Sequence, residues 1–206
     1  MAGVAPSTID RGSRNSCTET FGAAGFAFLV TTVVTAVAVT VGAGRVAPGD
    51  VTPAPHVRPE RELRGLVADA ARGSAAIRAL IDRLEVLDVT VYVRVRAFMQ
   101  TDLDGRVALL SVRDGHRYLV IELACARPRL SQMATLGHEL YHAVEIADEP
   151  SIVDAHTLAA FYLRVGRRTD AWGGRQTFET EAAADAGLRA RRELLTNSTR
   201  RVNDGT

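Results

Sequence analysis

The chain contains no lysine; its 25 basic side chains are all arginine. Against 24 acidic side chains they leave a net charge of +1, so there is no global electrostatic case for a nucleic-acid partner. The arginines are scattered, which reads as a solvated surface in the composition of a GC-rich, bacterial genome and not as a binding signature. Cysteine is scarce. Cys17 and Cys125 lie on opposite sides of a long apolar run, and if that run enters a membrane they cannot pair within one mature chain. Cys17 follows Arg14, Asn15 and Ser16, without the small apolar residues expected before a lipidated cysteine, so neither thiol is assigned a function. Internal repeats are absent too, which leaves a length of 206 residues to be filled by one modest domain and some extra segment.

The extra segment is at the amino terminus. After residues 1–20, the run "FGAAGFAFLVTTVVTAVAVTVGAG" from Phe21 to Gly44 carries no charge over 24 residues. A bilayer-spanning helix needs about 20 such residues, a signal-peptide core only about 7–15. The run has no polar face, which speaks against a buried core helix. It predicts a transmembrane helix, or a signal sequence with Ala36–Ala38 as the small-x-small cleavage form. Either way the rest of the chain is expected outside the cytoplasm, in the cell envelope. Residues 45–59 hold Pro48, Pro53, Pro55 and Pro59, a density that excludes helix and reads as a stiff linker. The folded domain is therefore expected over 60–196, with a polar, frayed tail over 197–206.

Within the domain, Arg61–Asp88 reads as one or two helices broken near Gly73. Leu80, Ile81, Leu84 and Leu87 recur at helical spacing. Val89, Val91, Val93 and Val95 then alternate with polar residues, the period-two pattern of a half-buried strand. "GRVALLSV" and "RYLVIEL" are two further strands, joined at Asp114-Gly115, a dipeptide suited to a tight hairpin turn. A helix containing "HELYH", a second over about 152–165, a glycine-bearing loop with Trp172, and a last helix over about 177–195 follow. The expectation is an α+β domain with a small three-stranded sheet.

"HELYH" places His138 and His142 about 40° apart around a helix axis, pointing the same way. Two imidazoles so presented can each give one ring nitrogen to a single Zn2+. Glu139 lies about 100° round, where it reaches the water a metal activates more easily than the metal itself. This is the HExxH spacing, in which the glutamate is the general base. The motif sits in a periodic apolar stretch with Met133, Leu136, Leu140 and Val144, as a buried helix requires.

Catalytic zinc usually has three protein ligands and an open fourth position. The continuation "AVEIADEP" lacks the glycine and third histidine of the metzincin pattern. His156 falls on another helix and reads as a core or rim histidine. A downstream carboxylate is the alternative, and "FETEAAADAGLRARREL" offers Glu179 and Glu181. On a helix from Thr177, Glu179 would top the apolar face of Ala183, Ala186, Ala190 and Leu194, within about 60° of it, whereas Glu181 would share the solvated face of Asp185 and Arg192. A buried carboxylate is costly unless paired, and a metal would relieve it. Glu179 is thus the phase-favoured third ligand. Glu145, seven residues after His138 on the same side of the helix, suits either orientation of a ligand histidine or an arginine salt bridge.

HExxH followed by a glutamate on a downstream helix resembles the gluzincin metallopeptidases. Their downstream segment is typically ExxxD, which Glu181 and Asp185 match. The stretches "LDVTVYV", "HELYHAVEIA" and "FETEAAADAG" also resemble bacterial exported HExxH proteins over about residues 75–195, and "FET" there points to Glu179. The resemblance implies a zincin-like fold and a zinc site, with a peptide or protein substrate lying extended beside an edge strand, for which "RYLVIEL" is the candidate. Tyr141, His156 and Tyr162 are candidates for the oxyanion partner. The rival readings are an envelope protein whose structural zinc takes a fourth ligand from Glu145 or His156, and a metal-free, membrane-anchored interaction module.

Overall fold

A computed structural model describes residues 54–96, 104–169 and 177–203. The apolar run, its flanks, Cys17 and Trp172 lie outside them. No helix among the described residues is long and apolar enough to cross a membrane. Residues Pro55–Thr206 form one compact unit.

That unit opens with strand β1, Val57–Pro59, inside the stretch expected to be a linker. Prolines are tolerated there because β1 is an edge strand, paired on one side only, so a missing N–H breaks no ladder. Its non-proline neighbours close the pairing: Val91 N–H donates to the His56 carbonyl and Glu60 N–H to the Val93 carbonyl, both at 2.8 Å. A 3-10 turn, Arg61–Leu63, leads into helices α1, Arg64–Gly73, and α2, Ala75–Leu84. The break falls next to Gly73, where the Ser74 hydroxyl caps α2 by accepting the Ile77 N–H.

Strands β2 (Val89–Arg96), β3 (Gly105–Arg113) and β4 (His116–Ala124) follow. Asp114 and Gly115 both take positive φ, 51° and 82°, as a two-residue hairpin turn demands. The sheet has four strands in the order β1-β2-β4-β3, not three. β2 runs parallel to β1 and β4, and β3 antiparallel to β4. "RYLVIEL" is therefore interior, and the edges are β1 and β3. Sequence adjacency favours pairing β2 with β3, but β4 inserts between them and buries Leu119, Ile121 and Leu123 beside Val89, Val91 and Val93. Full burial stabilises by roughly 2 kcal/mol per large side chain, and a strand this apolar is best covered in the interior of the sheet.

The long helix α3, Arg129–Asp148, carries "HELYH" and packs Leu136, Leu140 and Ile146 into the same core. Helix α4, Ala155–Val165, starts at a capping box of Asp154 and Thr157. Buried Arg117 holds the α3–α4 connection to the sheet by donating to the carbonyls of Glu149 (2.9 Å) and Ile152 (3.2 Å). Strands β5, Arg167–Thr169, and β6, Thr177–Glu179, pair antiparallel. The last helix, α5, spans Glu181–Asn203, four residues later at its start than the sequence pattern implies and well past the expected end. Its distal part is docked: the Asn197 side chain donates to the Gly73 carbonyl at 2.8 Å. α3 and α5 pack closely through glycines. A Cβ on Gly137 would lie 2.8 Å from the Ala190 Cβ, and one on Gly187 would lie 3.1 Å from the His138 Cβ.

Candidate metal centre

The α3–α5 crossing sets the site. His138 and His142 project from one side of α3 with ring centroids 4.9 Å apart. β6 delivers Glu179 opposite them. Its Oε2 lies 3.3 Å from His138 Nε2 and its Oε1 lies 3.5 Å from His142 Nε2. One ligand atom from each of the three residues lies within 4.8 Å of the others. Zinc bound at about 2.0–2.1 Å spaces tetrahedral donors about 3.3 Å apart; each histidine has a carboxylate oxygen at about that distance, but a different one, so the three donors would close in by side-chain adjustment around an ion. Two neutral imidazole nitrogens and a carboxylate are donors suited to Zn2+. The phase reasoning that favoured Glu179 assumed a helix from Thr177. Residue 179 is in a strand, and it reaches the histidines because β6 ends beside them. Glu181 and Asp185, the ExxxD pair, are exposed on α5 and outside the cluster.

The electrostatics follow from burial and pairing. Burial alone would raise the Glu179 carboxyl, but hydrogen bonds from His138 and His142 and their charges hold it at about 2. Burial would lower both imidazoles. For His142 the hydrogen bonds it donates to Glu145 and Glu179 overcome that and raise it to about 9, and Glu179 with Glu139 raises His138. Without a metal, the three donors hold together as an ion-paired cluster. His142 is almost fully buried, whereas the His138 and Glu179 side chains are 22% and 23% exposed, so the cluster opens to solvent on their side.

Glu139 is buried, and burial raises its carboxyl, offset by the nearby imidazoles and a hydrogen bond from the Val107 backbone of β3. Strand β3 comes close here for a local reason: a Cβ on Gly105 would lie 2.5 Å from the Thr135 methyl and 3.2 Å from Glu139 Oε1.

Behind His142, Nδ1 meets Glu145 Oε2 at 2.8 Å. Tyr162 donates to the same oxygen at 3.3 Å, and its ring stacks on Phe178. The other oxygen, Oε1, accepts the Thr180 hydroxyl at 2.8 Å. Glu145 thus takes the orienting position and not an arginine salt bridge. Tyr162 is buried on the Nδ1 side of the ring, away from the open side, where its hydroxyl is a partner of Glu145, and burial pushes its phenol further up. His156 is exposed in the first turn of α4, outside the cluster, and neither core nor ligand. His116, beside the hairpin turn, bonds the Thr90 hydroxyl at 2.9 Å. Sequence reasoning missed Thr180. Its signal was a threonine three residues before Ala183 at the true start of α5, where the hydroxyl accepts the Ala183 N–H as an N-cap.

Fold and site together define an α+β domain with a half-open His2Glu donor cluster beside a buried glutamate. The chain matches no family model, no curated protein and no solved structure. Any assignment of chemistry rests on the residues themselves.

Proposed function

We propose that the domain is a zinc-dependent metallopeptidase, held in the cell envelope by Phe21–Gly44 or exported by it. The observation that carries this reading is the meeting of three donors from two distant segments, His138 and His142 with Glu179, next to the buried Glu139. His138, His142 and Glu179 would hold the zinc, which when bound would polarise a carbonyl and acidify water. Glu139 takes the proton from the attacking water and passes it to the leaving amine. His142 is kept in one orientation by Glu145, so its Nε2 stays directed at the donor cluster. An extended peptide adds to β3, the sheet edge whose Val107 bonds Glu139.

A structural zinc would need a fourth protein donor. Glu145 has both oxygens engaged behind the imidazole and His156 lies elsewhere, so neither nominated residue supplies it. This favours the open, catalytic arrangement over the structural one. The test is zinc content by mass spectrometry on the wild type, His142→Ala, Glu179→Ala and Glu181→Ala. About one zinc per chain, lost with His142 and Glu179 but kept with Glu181, is expected. Glu139→Gln should keep zinc and lose hydrolysis of a fluorogenic peptide library. Zinc-free, well-folded wild-type protein would sink the proposal in favour of the metal-free interaction module. Zinc retained in Glu179→Ala would remove Glu179 from the donor set.

A further inference from the structure

Thr180 connects the two halves of the site, and nothing in the HExxH pattern calls for it. It is almost fully buried, and each of its polar groups has a separate task. Its backbone N–H donates to Glu179 Oε1 at 2.9 Å, orienting the candidate ligand that precedes it. Its hydroxyl donates to Glu145 Oε1 at 2.8 Å and accepts the Ala183 N–H at 3.2 Å. A hydroxyl has one proton, so satisfying the helix end with a lone pair leaves that proton for the carboxylate. Glu145 in turn spends Oε2 on His142 Nδ1. The start of α5 is thereby coupled, through one hydroxyl and one carboxylate, to the ring of a candidate ligand on α3.

We propose that Thr180 is a positioning residue for the metal centre, fixing Glu145 and through it the orientation and tautomer of His142. This rests on the metallopeptidase reading for its consequence, but not for the hydrogen-bond chain itself. Two properties make threonine suited to the place. The Nδ1–carboxylate bond holds the ring with Nε2 directed at the cluster only while Glu145 stays turned towards it, and without the hydroxyl the part-buried Oε1 would lose the partner it has. Space around the residue is limited as well, since a Cβ on Gly166 would lie 3.4 Å from the Thr180 methyl and 2.8 Å from the Glu179 carbonyl oxygen. The segment 179–180 is therefore clamped between the end of α4 and α3.

The experiment is a double-mutant cycle on the full chain, read as Zn2+ affinity by competition with a chromophoric chelator. Thr180→Val removes the hydroxyl at nearly constant shape, and Glu145→Ala removes its acceptor. Loss of such supporting partners typically weakens a metal by about 10–100-fold, and each single change is expected to do so. The double variant should bind like Glu145→Ala alone, because Thr180 acts through that carboxylate. Thr180→Ser, which keeps the hydroxyl, should restore wild-type affinity to within about twofold. Effects that multiply in the cycle, or a Thr180→Val affinity equal to wild type, would overturn the proposal. If Thr180→Val fails to fold, Thr180→Gly serves, because glycine is well tolerated at an N-cap. Wild-type protein that binds no zinc would end the metallopeptidase reading instead. The positioning role is then read from the hydrogen-bonded Nδ1 proton of His142 in the metal-free protein by NMR. That resonance should shift or vanish in Thr180→Val and persist in Thr180→Ser; no change in either would refute it.

Discussion

Gly137, the residue before His138, offers a direct measure of how tightly the site is built. Replacing it with alanine adds one methyl group 2.8 Å from the Ala190 Cβ and 3.2 Å from the Ile77 Cγ1. Carbon atoms prefer about 3.5–4.0 Å, so α5 must retreat by several tenths of an ångström or more. Neither neighbour can swing aside: the alanine Cβ moves only with its backbone, and Ile77 is fully buried. Such overpacking costs typically about 1–3 kcal/mol. Glycine-to-alanine exchange within a helix returns roughly 0.5–1 kcal/mol, so the net expectation is a loss of up to about 2.5 kcal/mol, centred on roughly 1. Gly65 in α1 is the control, because its Cβ would meet only the far end of Arg129 at 3.9 Å. Gly65→Ala should gain about half a kcal/mol from propensity alone. Urea unfolding followed by circular dichroism reads both, with the midpoint moving and the slope unchanged. If Gly137→Ala stabilised the protein as Gly65→Ala does, the α3–α5 crossing would not be as close as described, and the clamped geometry of the site would fall with it.

Three other outcomes follow from the same structure. Arg117→Met should cost about 2–3 kcal/mol, because the carbonyls of Glu149 and Ile152 lose a charged, buried donor, and limited proteolysis should then cut between α3 and α4. Glu122→Ala should destabilise by roughly 1–2 kcal/mol, since a buried carboxylate that meets Arg94, Arg96 and Arg106 is removed while those half-exposed guanidiniums are left facing one another; urea unfolding measures it, and an unchanged midpoint would contradict the ion-pair description. The metal-free protein should also lose stability as pH rises from about 6.5 through 9. His142 is raised when folded, so its contribution is complete below the unfolded value and disappears above the folded one. The depressed Glu179 acts in the opposite direction, contributing above its unfolded value of about 4.5 and failing as pH falls towards 2. Thermal melts at pH 5.5, 7.5 and 9.5 on chelator-treated protein test this, and His142→Ala should flatten the alkaline limb.

Local chemistry was the legible part of the sequence. The break beside Gly73, the alternation of Val89, Val91 and Val93, the turn at Asp114-Gly115 and the shared direction of His138 and His142 each depend on a few neighbouring residues, and each is present. Pairing between distant segments was not legible. Nothing in β4 itself says that it inserts between β2 and β3, because that choice is made by burial summed over the whole sheet. β1 was hidden by its prolines, which are costly in a central strand and nearly free at an edge. The same applies to the end of α5, where Asn197 gains a partner only after Gly73 is brought alongside.

Glu179 shows the two kinds of inference crossing. The helical-phase reasoning placed it on the inward side of a helix that begins two residues after it. The residue nevertheless faces inward, because the requirement behind that reasoning was never helical: a glutamate next to the buried run of Ala183, Ala190 and Leu194 must either reach water or find positive partners. In the structure it does both in part, with its side chain about one-quarter exposed and both oxygens aimed at imidazoles. Glu181, exposed at the first position of α5, has no such need. The ExxxD letters therefore match at exposed positions outside the cluster, while the residue two places earlier occupies the point where β6, α3 and the N-cap of α5 converge. Motif spacing alone points to Glu181, which lies outside the cluster, whereas asking which carboxylate needs a partner points to Glu179, which lies in it.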